Sequence, residues 1–127
     1  KELMPQKWIV DIAFKKAKVL GSEIKITNNP KEAVKDADIV YADTWFSYHI
    51  KKKAWKNRIE LLKPYQVNQK LMSYAKKDAV FMNCLPAMRG YEQTADVIDG
   101  EQSIVFGQAE NRLYMQKGII LKLLGIM

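Results

Sequence analysis

Three polar clusters in this chain carry side chains capable of chemistry, and each follows a short apolar run. Asp43-Thr44-Trp45-Phe46-Ser47 follows Ile39-Val40-Tyr41-Ala42, and Asn83-Cys84-Leu85-Pro86 follows Ala79-Val80-Phe81-Met82. Ala109-Glu110-Asn111-Arg112 comes shortly after Ser103-Ile104-Val105-Phe106. The second cluster is the most informative. It sets the only cysteine, a soft thiol, beside a Leu-Pro bond whose backbone lacks one donor, with Arg89 close by. In open α/β sheets ligands bind outside the carboxyl ends of the strands. A carboxylate, a thiol and an arginine leaving successive strand ends therefore mark a candidate site. Each also has a plainer reading. A lone cysteine after an apolar strand is commonly a small buried hydrophobe, and Asp43 is equally suited to capping a helix. Trp45 reads as packing, His49 as a surface residue and Arg89 as half of a structural ion pair. Arg112, near the start of a helix, opposes the helix dipole, which favours a ligand or carboxylate partner.

The elements that must position these clusters are legible from periodicity and punctuation. Apolar residues at 3–4 spacing predict a helix over 5–20, with Pro5 in its first turn and Gly21 as its stop. Alternation over Ser22–Thr27, with Ile24 and Ile26 on one face, predicts a short strand. Asn28-Asn29-Pro30 is a turn, and Pro30 opens a short helix to Asp36. A second strand spans Asp38–Ala42. A lysine-rich helix near 51–62 follows and is interrupted at Pro64. Asn68 is an N-cap for a helix over 69–76. A third strand covers 79–83, Asp99-Gly100 is a turn, and a fourth strand covers Ser103–Phe106. A final helix runs from Gln108 to Leu124. Strands alternating with helices give an α/β fold: a three-layer arrangement of a parallel sheet with helices on both faces, Rossmann-like in type. A doubly wound domain usually opens on a strand, and this chain opens on a helix.

Composition bounds the function classes. The 127 residues are 48% hydrophobic and 28% charged, which describes one globular domain. A single cysteine rules out an internal disulfide and a Cys-rich zinc site and fits a reducing, cytoplasmic setting. No apolar run approaches the ~20 residues of a membrane span, and no signal-peptide pattern opens the chain. The chain begins at Lys1, so it is expected to be a piece of something longer. The net charge of +7 permits nucleic-acid binding, but the dense run Lys51-Lys52-Lys53 has no nucleic-acid-reading motif around it and reads as solvated surface. No nucleic-acid or membrane partner is expected.

Taken in order, the three clusters, together with Tyr65-Gln66-Val67-Asn68 and Val97-Ile98-Asp99-Gly100, resemble the C-terminal half of an ornithine carbamoyltransferase. That family carries a D-x-W-x-S-M-G loop, Y-Q-V-N, H-C-L-P and F-x-x-A-E-N-R in the same order, and the likeness extends from about residue 5 to 124. The resemblance implies the second-substrate domain of a two-domain enzyme. The carbamoyl-phosphate domain, with its S-T-R-T-R-type loop, has no counterpart among these residues. It implies transfer of a carbamoyl group from carbamoyl phosphate to the side-chain amine of ornithine, with no metal or organic cofactor. It also implies a homo-oligomer, trimeric in the intact family. By the same likeness Asp43 matches the carboxylate that meets the ornithine α-amino group. Ser47 and Tyr48 lie in the substrate loop, and Cys84 and Leu85 are the pair beside the reacting groups. Arg112 is the cation facing developing negative charge. A cis Leu85–Pro86 bond is implied too.

The departures from the family pattern bear on substrate. Asn83 stands where the family has histidine, keeping hydrogen bonding but losing a titratable group. Ser47-Tyr48-His49 stands in place of S-M-G, with a bulkier residue and no glycine. The amine therefore remains open between ornithine and one without its carboxylate, such as putrescine. A binding half-protein without turnover is the other alternative. Dense apolar positions at the end of the chain (Ile119, Ile120, Leu121, Leu123, Leu124, Ile126 and Met127) predict an exposed patch that needs a partner.

Overall fold

The computed structural model describes residues 3–47 and 49–126. The order of elements is helix α1 (Lys7–Leu20), helix α2 (Pro30–Val34), strand β1 (Ile39–Ala42), helix α3 (Trp55–Leu62), helix α4 (Gln69–Met72), strand β2 (Val80–Asn83), helix α5 (Ala95–Ile98) and helix α6 (Val105–Leu123). The strands are parallel, paired Ile39 with Val80 through Ala42 with Asn83. This is the α/β class that the alternation of elements predicts. Its register has a direct consequence: the residues that follow the last pair are Asp43 and Cys84, so the two strands deliver a carboxylate and a thiol side by side.

Local chemistry explains most boundaries. Gly21 takes φ +67° and its N–H donates to the Ala17 carbonyl, closing α1 in the left-handed conformation glycine adopts cheaply. The Asn29 side chain accepts from the Glu32 N–H, with Pro30 at the first helical position of α2. Asn68 does the same for α4, accepting from the Leu71 N–H at 2.9 Å.

Four expectations are corrected. Ser22–Thr27 is not a strand: beyond Ser22, whose N–H closes α1, the described backbone finds no ladder partner there, and an unpaired segment cannot hold strand geometry on its own. Ser103–Phe106 contributes a single parallel bridge, Ser103 to Phe81, before α6 begins at Val105, three residues earlier than expected. A four-residue apolar run does not by itself distinguish a strand from a buried helical turn, and the fully buried Val105 is the latter. The helix over 69–76 stops at Met72, because Asp36 N–H donates to the Tyr74 carbonyl and Lys76 N–H to the Ala37 carbonyl, pulling 73–76 onto the turn before β1. The short helix α5 was not expected.

The core lies on one face of the sheet. Val40, Ala42 and Phe81 face it with Val34 of α2, Leu71 and Met72 of α4, Val97 and Ile98 of α5, and Val105 of α6. The opposite face is thinly covered, leaving Ile39 and Tyr41 about half exposed. Helix α6 lies over β2 and its Gln108 Nε2 donates to the Tyr41 hydroxyl at 2.7 Å. Helix α1 carries an exposed apolar face that includes Trp8, Val19 and Leu20, and α6 with its C-cap carries another that includes Ile120, Leu123 and Leu124, the latter as the density of apolar positions at the chain end leads one to expect. Met127 lies outside the described residues. Among the described residues no helix is long and apolar enough to cross a membrane.

Candidate active site

At the carboxyl ends of β1 and β2 the Cys84 thiol donates to Asp43 Oδ1 at 3.4 Å. The same oxygen accepts from the Thr44 N–H at 2.8 Å, which fixes the carboxylate's direction. From α6, Arg112 Nη1 donates to the Cys84 carbonyl at 2.9 Å. The three residues singled out for chemistry thus form one cluster, built from two strand ends and a helix. Because α6 starts at Val105, Arg112 sits beyond its first turn, and the dipole argument for a nearby anion loses its force. The direct contact with the Cys84 loop replaces it.

The thiol is partly buried, and burial pushes its pKa above the ordinary value. The hydrogen bond to Asp43 and that carboxylate's charge push the same way, against a weaker opposite pull from the backbone N–H groups of Cys84 and Thr44. At neutral pH the sulfur is therefore a neutral S–H donor and adds no negative charge of its own.

The loop after β2 is bent sharply. Leu85–Pro86 is cis, and Leu85 takes φ +50°. A non-glycine residue in that region is held there by its surroundings. Here the Leu85 N–H donates to Asn83 Oδ1 at 2.9 Å, and the Leu85 side chain packs toward the core. Leu85 therefore shapes the loop, with its half-buried side chain packed against the core. Asn83 is 1% exposed, and its Nδ2 donates to Gln93 Oε1 at 3.1 Å, so both ends of its amide are used inside the protein.

The loop after β1 is anchored by aromatic rings. Trp45 is buried and meets Tyr91 edge-on at 6.4 Å. Phe46 lies between Trp55 and Tyr91, with centroids 4.5 and 5.2 Å away. Ser47 is exposed, and its carbonyl accepts from the Ile50 N–H at 2.9 Å. Among the described residues no hydrogen bond joins the Ser47 side chain to the Asp43–Cys84 pair. Tyr48, expected in the same loop, lies outside the described residues. His49 is exposed. Arg89 is bound through two nitrogens to Asp99, at 2.8 and 2.7 Å, the structural ion pair of its plainer reading. Lys51, Lys52 and Lys53 are exposed.

Two site-building residues have no signal in the sequence. Glu92 and Gln93 are fully buried within a polar stretch that would pass for a solvated loop. Glu92 accepts from the Trp45 N–H, the Thr44 hydroxyl and the Met88 N–H, and Gln93 meets Asn83. The Tyr65–Asn68 motif also finds its role here. Gln66 Nε2 donates to the Gly90 and Tyr91 carbonyls, and the Val67 backbone bonds Glu92 and Thr94, so this segment clamps the loop that follows Cys84.

Next to the cluster is an apolar cavity of about 430 Å³. Met82, Gln108, Asn111, Arg112 and Met115 help to line it, and Arg112 links it to the Cys84 loop. A larger cavity of about 640 Å³ lies against α3 and Tyr65, but among the described residues its lining has no carboxylate, thiol or cation, so the smaller one is the site's neighbour in chemistry as well as in space. Among the described residues no three His, Cys, Asp or Glu side chains gather as metal ligands would.

Solved structures agree with this architecture and define its class as the α/β domain of a carbamoyltransferase. The chain is similar to the ornithine carbamoyltransferase of Pyrococcus furiosus, with 42% identity and a TM-score of 0.84 over 92% of this chain and 37% of that one. It is similar to the anabolic ornithine carbamoyltransferase of Campylobacter jejuni, with 32% identity and a TM-score of 0.90 over 100% of this chain and 42% of that one. Among curated relatives, the ornithine carbamoyltransferase of Caldicellulosiruptor saccharolyticus is 53% identical over 116 residues, which is 91% of this chain and 37% of that protein. The chain thus spans well under half the length of the relatives it matches. Residues 1–123 match the aspartate/ornithine carbamoyltransferase Asp/Orn binding domain, and the chain belongs to that family.

Proposed function

We propose that this chain is the amine-binding domain of an ornithine carbamoyltransferase, working with a carbamoyl-phosphate site supplied by residues outside these 127. The observation that carries the reading is the pairing of Asp43 with Cys84 at adjacent strand ends, with Arg112 on the Cys84 loop. In the reaction the side-chain amine of ornithine attacks the carbonyl carbon of carbamoyl phosphate. A C–N bond forms, the carbonyl oxygen takes up negative charge, the C–O bond to phosphate breaks, and the amine gives up a proton. The products are citrulline and phosphate.

The residues suit separate parts of that chemistry. Asp43 offers a fixed carboxylate to the α-ammonium group. Cys84, held as a neutral thiol, contacts the attacking amine without a second negative charge that would keep it protonated and unreactive. Arg112, always charged, places a guanidinium where negative charge develops. Ser47 and Tyr48 belong to the loop that meets the amino-acid end of the substrate. Leu85 acts through the bend it makes, bringing the Cys84 carbonyl within reach of Arg112. Two reactants held in line supply much of the rate advantage, so the domain acts by positioning as much as by acid–base chemistry.

Ser47-Tyr48-His49 in place of the S-M-G loop favours one second reading, an amine without ornithine's carboxylate, such as putrescine. The full-length native chain, assayed with carbamoyl phosphate and either ornithine or putrescine, decides between them. Citrulline formation supports the first reading and N-carbamoylputrescine the second. No product from either amine sinks both and leaves a binding domain without turnover.

A further inference from the structure

Glu92 is a carboxylate with 1% of its surface exposed, and among the described residues it takes part in no ion pair. A buried carboxyl group of this kind is tolerated only where hydrogen-bond partners replace the water it has lost. Three donors do so, and they come from two different loops. Oε1 accepts from the Trp45 N–H at 2.9 Å and the Thr44 hydroxyl at 3.2 Å, both in the loop after β1. Oε2 accepts from the Met88 N–H at 3.0 Å, in the loop after β2. One carboxylate therefore spans the two loops that carry Asp43 and Cys84.

The connection continues to the reactive groups. Thr44, whose hydroxyl Glu92 holds, donates its own N–H to Asp43 Oδ1, the oxygen that accepts from Cys84. On the far side, the carbonyl of Trp45 accepts from Arg58 Nε of α3, so Trp45 is held through both its N–H and its carbonyl. Glu92 has no hydrogen bond to Asp43 or Cys84; it holds the residue next to Asp43 and, four residues beyond Cys84, the Met88 N–H. A neutral amide in its place would turn one N–H toward a donor, because the three donors divide between both carboxylate oxygens and leave no side free for an NH2.

We propose that Glu92 is a positioning residue, a strut that sets the spacing and direction of the Asp43 carboxylate relative to the Cys84 thiol. Its consequence for turnover rests on the carbamoyl-transfer reading above; the strut itself does not. It predicts that releasing Glu92 uncouples Asp43 from Cys84 while leaving Arg112 of α6 on the Cys84 carbonyl.

The test follows Cys84 in the full-length native chain. The rate of alkylation by iodoacetamide is measured against pH and quantified on the peptide containing Cys84. Asp43 and Arg112 are the charged groups facing that thiol from the elements around it. Asp43→Asn removes the carboxylate charge, so its alkylation profile shifts to lower pH. Glu92→Gln is expected to shift the profile in the same direction, and to add nothing in the Asp43→Asn background, since it acts through that carboxylate. Thr44→Val cuts the same link with no change of charge and is expected to give a smaller shift of the same sign; it decides the matter where Glu92→Gln does not fold. An unchanged profile in Glu92→Gln, or a shift as large with Asp43→Asn present as without it, overturns the strut. Where the full-length chain carbamoylates an amine, Glu92→Gln is expected to lower kcat/KM for that amine by up to about 100-fold while the KM for carbamoyl phosphate stays within about twofold, the signature of a misplaced amine subsite. Equal losses for both substrates contradict it. A chain with no turnover leaves the thiol profile as the deciding measurement, so failure of the strut and failure of the proposed reaction are separate results.

Discussion

The site has two layers that differ in almost every physical respect. The outer layer is Asp43, Ser47 and Arg112, all exposed, with the partly buried Cys84. The inner layer is Asn83, Glu92 and Gln93, each at most 1% exposed, with their hydrogen bonds among the described residues directed at other parts of the protein. The outer groups are free to meet a ligand because the inner ones absorb the cost of an irregular, bent loop. Loops carry function where a rigid scaffold holds them, and here the scaffold is polar. A hydrophobic support could not fix the directions of the Leu85, Trp45 and Met88 N–H groups.

The contrast predicts opposite phenotypes. Substitutions in the outer layer should remove activity and spare stability; in the inner layer they should cost stability first. The largest effect belongs to Arg112. In the full-length chain Arg112→Ala is expected to lower kcat by about 100- to 1000-fold, the usual loss for one donor to developing negative charge. Its melting temperature should stay close to the parent's, since the side chain is exposed and makes one hydrogen bond. An Arg112→Ala protein that melts early would place Arg112 in the inner layer and break the division.

Asn83→Leu is the complementary case. It leaves the Leu85 N–H and the Gln93 amide oxygen buried without partners, at a cost of about 2–4 kcal/mol, read by denaturant unfolding. Asn83→His should cost less, because a neutral imidazole keeps one donor and one acceptor. A Leu variant as stable as the parent would mean that water reaches this amide and that the inner layer is not closed. Gly100→Ala tests the turn beneath it: an added Cβ would stand 2.4 Å from the Asp96 carbonyl oxygen, and overpacking of that kind costs about 1–3 kcal/mol. Unchanged stability there would show that α5 shifts freely.

The outer layer was legible in the sequence, and of the inner one only Asn83 was, for a physical reason. Asp43, Cys84 and Arg112 stand beside punctuation that periodicity and motifs expose: the ends of apolar runs, a Leu-Pro bond, a helix start. Glu92 and Gln93 are indistinguishable in local sequence from solvated loop residues, because burial there comes from Val67 and the Trp45 loop folding over them. The same limit explains the two strands that did not form. Ile24 and Ile26 alternate as strand residues do, but alternation specifies a face and not a neighbour. Ser103–Phe106 is apolar enough for a strand, but a buried first turn of α6 requires the same residues. The register of β1 on β2, which makes Asp43 and Cys84 adjacent, is a tertiary fact that neither strand states alone.

The smallest expected effect sharpens the boundary between the layers. Arg89 and Asp99 form a two-nitrogen ion pair on the loop after Cys84, yet both side chains are about half exposed, at 51% and 45%. The pair has inner-layer geometry and outer-layer solvation. The Arg89 hydrogen bond holds the Asp99 carboxyl below the ordinary value; desolvation opposes it, and the arginine's charge adds a smaller pull in the same direction as the hydrogen bond. A carboxyl lowered on folding contributes stability above its unfolded pKa and loses it as pH falls through the lower folded value. Any contribution is therefore present at neutral pH and disappears in the acid range below about pH 4. On the arginine side the pKa is raised, and its share is lost only above the guanidinium's already high value, beyond working conditions. Exposed pairs of this kind are screened by water and salt. Asp99→Asn is accordingly expected to change the melting temperature little at pH 7, and the small difference from the parent should vanish as pH is lowered and shrink with added salt. A large, salt-insensitive loss would instead mean that solvation is a poor guide here and that geometry alone assigns a residue to the support of the site.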